Sequence, residues 1–258
     1  LIKTRELKPM ELFIPLFAFL AGLCAGSFLN VCICRLPEGG SIAYPPSNCP
    51  SCGSRLRAVD LIPVLSYLFL QGRCRYCGGK ISAQYPIVEL TIGILFLLTY
   101  LKHGLTLASL RAAVLFTLVT AAAVIDWRYR IIPDRLNLAG FVLGAVLLFE
   151  SREVLTANAI GFLAGGGLLY LVALVSRGGM GGGDIKLAAV MGLLLGWKYL
   201  LLALFLAFAA GALVGILLVL LKIKRMKEGL PFGPYLALGS VVAALAGDRL
   251  LYWYLQLF

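Results

Sequence analysis

The chain has 258 residues, 61% hydrophobic and 14% charged, with 23 lysines and arginines against 12 acidic residues and a net charge of +11. Soluble domains carry about a quarter charged residues, so this composition, with a mean hydropathy of +0.95, excludes an ordinary soluble domain and indicates a membrane protein. A lone histidine, His103, excludes His-rich metal centres and HExxH hydrolases.

In chain order, residues 1–9 (LIKTRELKP) are polar and basic and read as an added or disordered tail ahead of Met10. Residues 10–34 form an apolar stretch too long for the core of a cleaved signal peptide and without an A-x-A-like site after it, which predicts a retained first transmembrane helix. Residues 35–86 are the one long polar stretch, with six prolines and two cysteine pairs, and read as a small separate module. Apolar runs follow at 87–101, 105–125, 136–149, 157–175, 185–196, 199–221 and 235–258 within a second region, 87–258. The expectation is an all-α polytopic membrane protein of about eight transmembrane helices. The run at 185–196 is short and is parted from the next only by Trp197 and Lys198, so seven spans with a re-entrant piece is the alternative.

If alternate loops share a side, fifteen basic residues fall on one face, including Arg55, Arg73, Lys80, Arg128, Arg135, Arg177, Lys186, Lys222, Lys224, Arg225 and Lys227. The positive-inside rule then places the cysteine module and the segments 126–135 and 176–186 in the cytoplasm, with both termini outside. Most of these charges set topology and contact anionic membrane lipid.

Cys49-Pro-Ser-Cys52 and Cys74-Arg-Tyr-Cys77 are two CxxC knuckles, each followed by a glycine, Gly53 and Gly78. Four thiolates at this spacing resemble a zinc ribbon, and a reducing cytoplasm disfavours the competing reading as two disulfides. Zinc held by four cysteines has no open position, so its expected role is structural, folding a module too small to bury its own core. The module lacks a basic recognition helix, which argues against nucleic acid as a partner. Cys24, Cys32 and Cys34 read as packing residues of the first span.

Four carboxylates call for separate weighing. Asp134 follows Pro133 at the start of an apolar periodic stretch, where the helix-cap reading is favoured. Asp126 ends the uncharged run Ala112–Ile125, where a carboxylate is costly unless protonated, paired or hydrated. Asp184 ends the glycine run 178–183, interrupted only by Met180, and a cap does not require such a run. A substrate backbone passing close to a carboxylate does benefit from bare glycines. No Lys-Ser/Thr follows, and an aspartate repels phosphate, so a P-loop is a poor fit. Two aspartates at span ends suggest a dyad in which one stays protonated, the machinery of peptide hydrolysis. Glu89, about a turn inside the second span, either snorkels or caps its helix, or pairs with a basic substrate or an internal arginine.

Taken together, several blocks resemble the bifunctional type IV prepilin peptidases, inner-membrane enzymes of the GxGD aspartic protease class. They are Gly26-Ser27-Phe28-Leu29-Asn30-Val31 with Arg35-Leu36-Pro37, the two knuckles, Tyr85-Pro86 with Glu89, Asp126 with Ile132-Pro133-Asp134, Gly179 to Asp184 with Lys186-Leu187, and Pro231-Phe232-Gly233-Pro234 with Leu236 to Gly239. The resemblance implies Asp126 and Asp184 as catalytic aspartates, with Gly181, Gly183, Asp134 and Lys186 supporting the catalytic loop. It implies removal of a basic leader from prepilins and pseudopilins after a glycine, then methylation of the new N-terminus with S-adenosylmethionine. It associates the cysteine module and Gly26–Pro37 with methylation, and 87–258 with the peptidase. Glu89 is the candidate for reading the basic leader, and no adenosine-binding fingerprint locates the methyl donor. The alternatives are a peptidase without methylating activity and, from another class, an ion-coupled transporter using intramembrane aspartates.

Overall fold

A computed structural model describes residues 9–148, 150–177, 179–223 and 229–256. Most of the tail reading, Gly178 of the glycine run, and Lys224, Arg225 and Lys227 lie outside the described residues. The described helices are α1 (Pro9–Arg35), α2 (Leu65–Phe69), α3 (Gln84–His103), α4 (Leu107–Tyr129), α5 (Asp134–Val146), α6 (Arg152–Val175), α7 (Gly182–Leu195), α8 (Trp197–Leu220) and α9 (Gly233–Leu255), with a 3-10 turn at Ala58–Leu61. Isolated bridges join Asn48 to Arg55 and Arg73 to Lys80.

Each of the eight apolar runs folds as a helix, and six of these helices, α1, α3, α4, α6, α8 and α9, are long and apolar enough to cross a membrane. The other two, α5 with 13 residues and α7 with 14, reach only about 20 Å at 1.5 Å per residue, short of a hydrocarbon core of about 30 Å. The break between α7 and α8 is made by Gly196 at φ +75°, a left-handed conformation that ends one helix and starts the next.

By compactness the chain divides into two units, one of residues 1–32 and 41–105, the other of 33–40 and 106–258. In the first, α1 and α3 meet across small residues: a Cβ added to Gly22 would lie 2.8 Å from Gly93 Cα, and one on Gly26 2.7 Å from Glu89 Cα. Such glycines let two apolar helices bring their backbones together where lipid offers no hydrophobic gain. Asn30, 1% exposed, ties the same pair: its amide donates to the carbonyls of Gly26 and Tyr85, and its oxygen accepts from Gln84 Nε2 at 3.2 Å. Cys32 packs as expected, whereas Cys24 faces outward.

In the second unit α7 is the centre. Its residues Leu187–Leu194 are all buried, and α4, α5, α6, α8 and α9 each contact it, which is what an all-round apolar helix requires. The α6 to α7 seam is the tightest, because a Cβ on Gly192 would fall 2.0 Å from the carbonyl oxygen of Gly161. At the end remote from Asp126, Arg111 near the start of α4 donates to Glu150 at 2.6 Å and to the Leu147 carbonyl, stapling α4 to the α5–α6 connection. α7 therefore presents its N-terminus, carrying Asp184, as a fixed point in a packed bundle.

Candidate active site and cysteine cluster

Asp126 lies in the last turn of α4, 7% exposed, and Asp184 in the first turn of α7. α4 and α7 are in contact, and the two carboxylates are near enough that the charge of Asp126 acts on Asp184. Burial first, and then that charge, push the Asp184 carboxyl up to about 6, while the Gly181 amide acts in the opposite sense. One oxygen of Asp184, Oδ1, is buried without a hydrogen-bond partner, an arrangement that a reacting water or a peptide group would complete.

Asp126 is held by the start of α9. The Gly233 amide donates to Asp126 Oδ2 at 2.8 Å, and a Cβ at position 233 would lie 3.0 Å from both Asp126 Cβ and Oδ2. Arg130, in the left-handed conformation that ends α4 (φ 58°), donates its own amide to the Asp126 carbonyl and its guanidinium to the Gly229 carbonyl at 2.8 Å. The chain leading into α9 is thus pinned to the end of α4 at two points, Asp126 and Arg130.

The glycine loop is seated by α5 and the residues before it. Gly183 abuts Ile132, where a Cβ would be only 2.9 Å from Ile132 Cβ, and Asn137 donates to the Gly183 carbonyl at 3.4 Å. Asn137 is 4% exposed and its own Oδ1 also lacks a partner. Asp134 departs from its expected role as a cap. Pro133 occupies the cap position of α5, no side chain caps the helix, and Asp134 is instead its first residue. Its carboxylate turns to Lys186, accepting from Nζ at 2.7 Å, with the two side chains 72% and 56% exposed. The cap reading fails because Pro133 already supplies the extended backbone that a cap residue needs.

Glu89 is 6% exposed and accepts from the Val64 amide at 2.7 Å, with the Ser27 side chain close by. Val64, a β-branched residue at φ +62°, is in a strained conformation, and the buried carboxylate holds it there.

In the cysteine module, the Sγ atoms of Cys49, Cys52, Cys74 and Cys77 all lie within 4.8 Å of one another, and Cys49 and Cys77 are 3.9 Å apart. Tetrahedral zinc with bonds of about 2.3 Å spaces its sulfurs by about 3.8 Å, so the cluster can hold a metal ion. The two knuckles are built alike. Gly53 and Gly78, at φ +71° and +69°, turn the chain back after each second cysteine, and the isolated bridges close each loop. Backbone amides of Cys52 and Ser51 lower the Cys49 thiol, and those of Tyr76 and Cys77 lower Cys74. Cys77 is pushed up to about 11, because neighbouring thiols outweigh the Gly79 amide, the charge conflict that a bound cation resolves. Asp60 braces the second knuckle from outside, accepting from Arg75 at 2.6 Å, Tyr76 at 2.9 Å and the Arg57 amide at 3.1 Å, and Arg75 holds its carboxyl below the usual range.

The residues that sequence reasoning did not place at the dyad are Gly233, Arg130 and Asn137. Only Gly233 had a visible signal, the Pro-Phe-Gly-Pro turn at 231–234.

Two family models match the chain, one described as the bacterial peptidase A24 N-terminal domain over residues 6–103 and one as the type IV leader peptidase family over 113–216. A Bacillus subtilis protein named prepilin leader peptidase/N-methyltransferase is 39% identical, covering 93% of this chain and 97% of its own. Proteins of the same name from Pseudomonas putida (36%, covering 90% and 91%) and Myxococcus xanthus (42%, covering 81% and 65%) are also similar. No solved structure matches. With the matches spanning both units and nearly the full length, the chain belongs to the type IV leader peptidase family.

Proposed function

We propose that the chain is a membrane-embedded aspartic endopeptidase that removes the leader of prepilin-type substrates and then N-methylates the exposed terminus. The names of its full-length relatives support both activities, and the observation that carries the peptidase chemistry is the pairing of Asp126 with Asp184 at one end of the bundle. In the dyad the ionised carboxylate takes a proton from water as its oxygen attacks the scissile carbonyl. The protonated one donates to the developing oxyanion, and the tetrahedral species then expels the amine with a proton returned from the dyad. The pair titrates as a unit, so roles belong to the pair and not to one residue. Gly181, where a Cβ would lie 3.0 Å from Asp184 Oδ2, leaves that carboxylate uncovered, Gly183 lets the loop pack against Ile132, and Gly233 fixes Asp126.

The four cysteines hold a structural zinc ion, which folds the knuckles and takes no part in hydrolysis. S-adenosylmethionine, when bound, supplies an electrophilic methyl group; this chain's task is to present the new α-amine unprotonated, a modest demand for a group that titrates near about 7.7 to 8.0. The membrane is the bacterial inner membrane, with the dyad and cysteine module on its cytoplasmic face, which the excess of basic residues on those loops supports.

The test is incubation of the purified protein with a prepilin in detergent, with and without S-adenosylmethionine, and mass measurement of the product N-terminus. Leader loss followed by a gain of one methyl is expected. Asp126→Asn and Asp184→Asn should each reduce cleavage by at least about a thousandfold while a pre-cleaved substrate is still methylated. Cleavage at the parental rate in either variant overturns the dyad.

A further inference from the structure

A leader that lies in the cytoplasm next to a membrane-inserted apolar helix is basic by the positive-inside rule. The loops around the dyad are themselves rich in lysine and arginine, so the leader needs a carboxylate to meet it. Among the described residues on that face, the carboxylates are Glu38, Asp60, Glu89, Asp126, Asp134 and Asp184. Asp126 and Asp184 form the dyad. Glu89 is 6% exposed and holds the Val64 amide, and Asp60, its side chain 4% exposed, is held by Arg75, Tyr76 and the Arg57 amide. Glu38 and Asp134 remain, both exposed. Of these two, Asp134 is the one joined to the first turns of α7, through Lys186 two residues beyond Asp184.

We infer that the Asp134–Lys186 pair is an exchangeable cation site, at which a lysine or arginine of the leader displaces Lys186 and bonds Asp134. This rests on the leader peptidase reading above. The exchange is energetically accessible, because ion pairs between exposed side chains contribute little and one cation replaces another at the same carboxylate. Lys186 keeps Asp134 paired between substrates. It also tethers α5 to α7 beside the dyad, so the incoming cation takes over a bond in the catalytic wall and registers the peptide against Asp184. Asp134 is then a specificity-determining residue, and Lys186 its internal competitor.

The experiment compares kcat/KM for two prepilins that differ only in the leader residue nearest the scissile glycine, lysine in one and glutamine in the other. In the parent the lysine leader should be preferred by about fivefold, the most that an exposed pair supplies. Asp134→Asn should abolish that preference, and Asp134→Glu should restore it. Lys186→Gln should raise the preference by lowering KM for the lysine leader. A purely structural ion pair gives a different pattern, since losing either partner then lowers both substrates alike and leaves the ratio unchanged. An unchanged ratio in Asp134→Asn overturns the inference, as does a ratio that collapses in Glu38→Gln or Glu89→Gln instead. If Asp134→Asn fails to fold, Lys186→Gln decides: a fall or no change in the preference overturns the inference. Asp184→Asn run in parallel separates the two readings, because full cleavage there removes the dyad, whatever Asp134 does to leader choice.

Discussion

At the residue scale, the half-buried Asp184 carboxyl ties stability to pH. Its folded pKa, about 6, is raised above the ordinary carboxylate value of 3.8, so the folded form binds the proton more tightly than the unfolded form does. Stability should therefore fall as pH rises from about 4 to 6 and stay low above that. Asp184→Asn should be flatter over this window and more stable than the parent at pH 7, by about 1–3 kcal/mol, as read by thermal unfolding in detergent across pH. Gly233→Ala tests the other aspartate. The added Cβ presses on Asp126, and a displacement well under 1 Å should lower kcat for leader cleavage by about ten to a hundredfold. Methylation of a pre-cleaved substrate should be unaffected, which separates a shifted carboxylate from a misfolded chain. Both aspartates were legible in the sequence because a carboxylate at the end of an uncharged run, and another behind five nearby glycines, are costly without a purpose. The Pro-Phe-Gly-Pro turn marked Gly233 without its partner, and Asn137 had no signal, since each acts on a partner 107 or 46 residues away and no local pattern records that distance.

At the element scale, the seams between helices depend on the absence of side chains. Gly161→Leu on α6 would force α6 away from Gly192 of α7, where even a Cβ has no room. The expected result is loss of several kcal/mol of stability, or failure to fold, seen as a collapsed elution profile. The cysteine module makes a separate prediction. Asp60→Asn removes the charge that holds Arg75 and Tyr76, the two residues between Cys74 and Cys77. Metal release to a chelator should then quicken by about tenfold, read by a colorimetric zinc indicator. The four cysteines were plain from their spacing, while α2 was not expected, because a five-residue helix inside a proline-rich segment has no periodicity to read. Asp134 was legible as a helix start but misplaced by one position, the margin within which caps and first-turn residues look alike in sequence.

At the scale of the whole molecule, hydropathy locates the apolar helices but does not say which of them cross the membrane or meet lipid. α7 and α8 read as neighbouring apolar runs, yet α7 is nearly enclosed while much of α8, including Phe205, Leu213 and Leu220, is exposed. Composition cannot distinguish a helix facing lipid from one facing other helices, since both surroundings are apolar. Topology is open to a direct measurement: an impermeant thiol reagent applied to intact cells should leave Cys52 and Cys77 unlabelled, and should reach them once the inner membrane is opened and the metal stripped. Labelling in intact cells would invert the orientation.

The enclosure of α7 also sets how this protein can change over time. Every position from Leu187 to Leu194 is buried in a helix enclosed by α4, α5, α6, α8 and α9, so a replacement there has to be answered by a matching one on those helices. The lipid-facing flank of α8 has no such counterpart and can drift among apolar side chains. A saturation-mutagenesis library scored for leader removal should therefore accept few substitutions along α7 and many along outward positions of α8, and compensating pairs should join α7 to the helices around it.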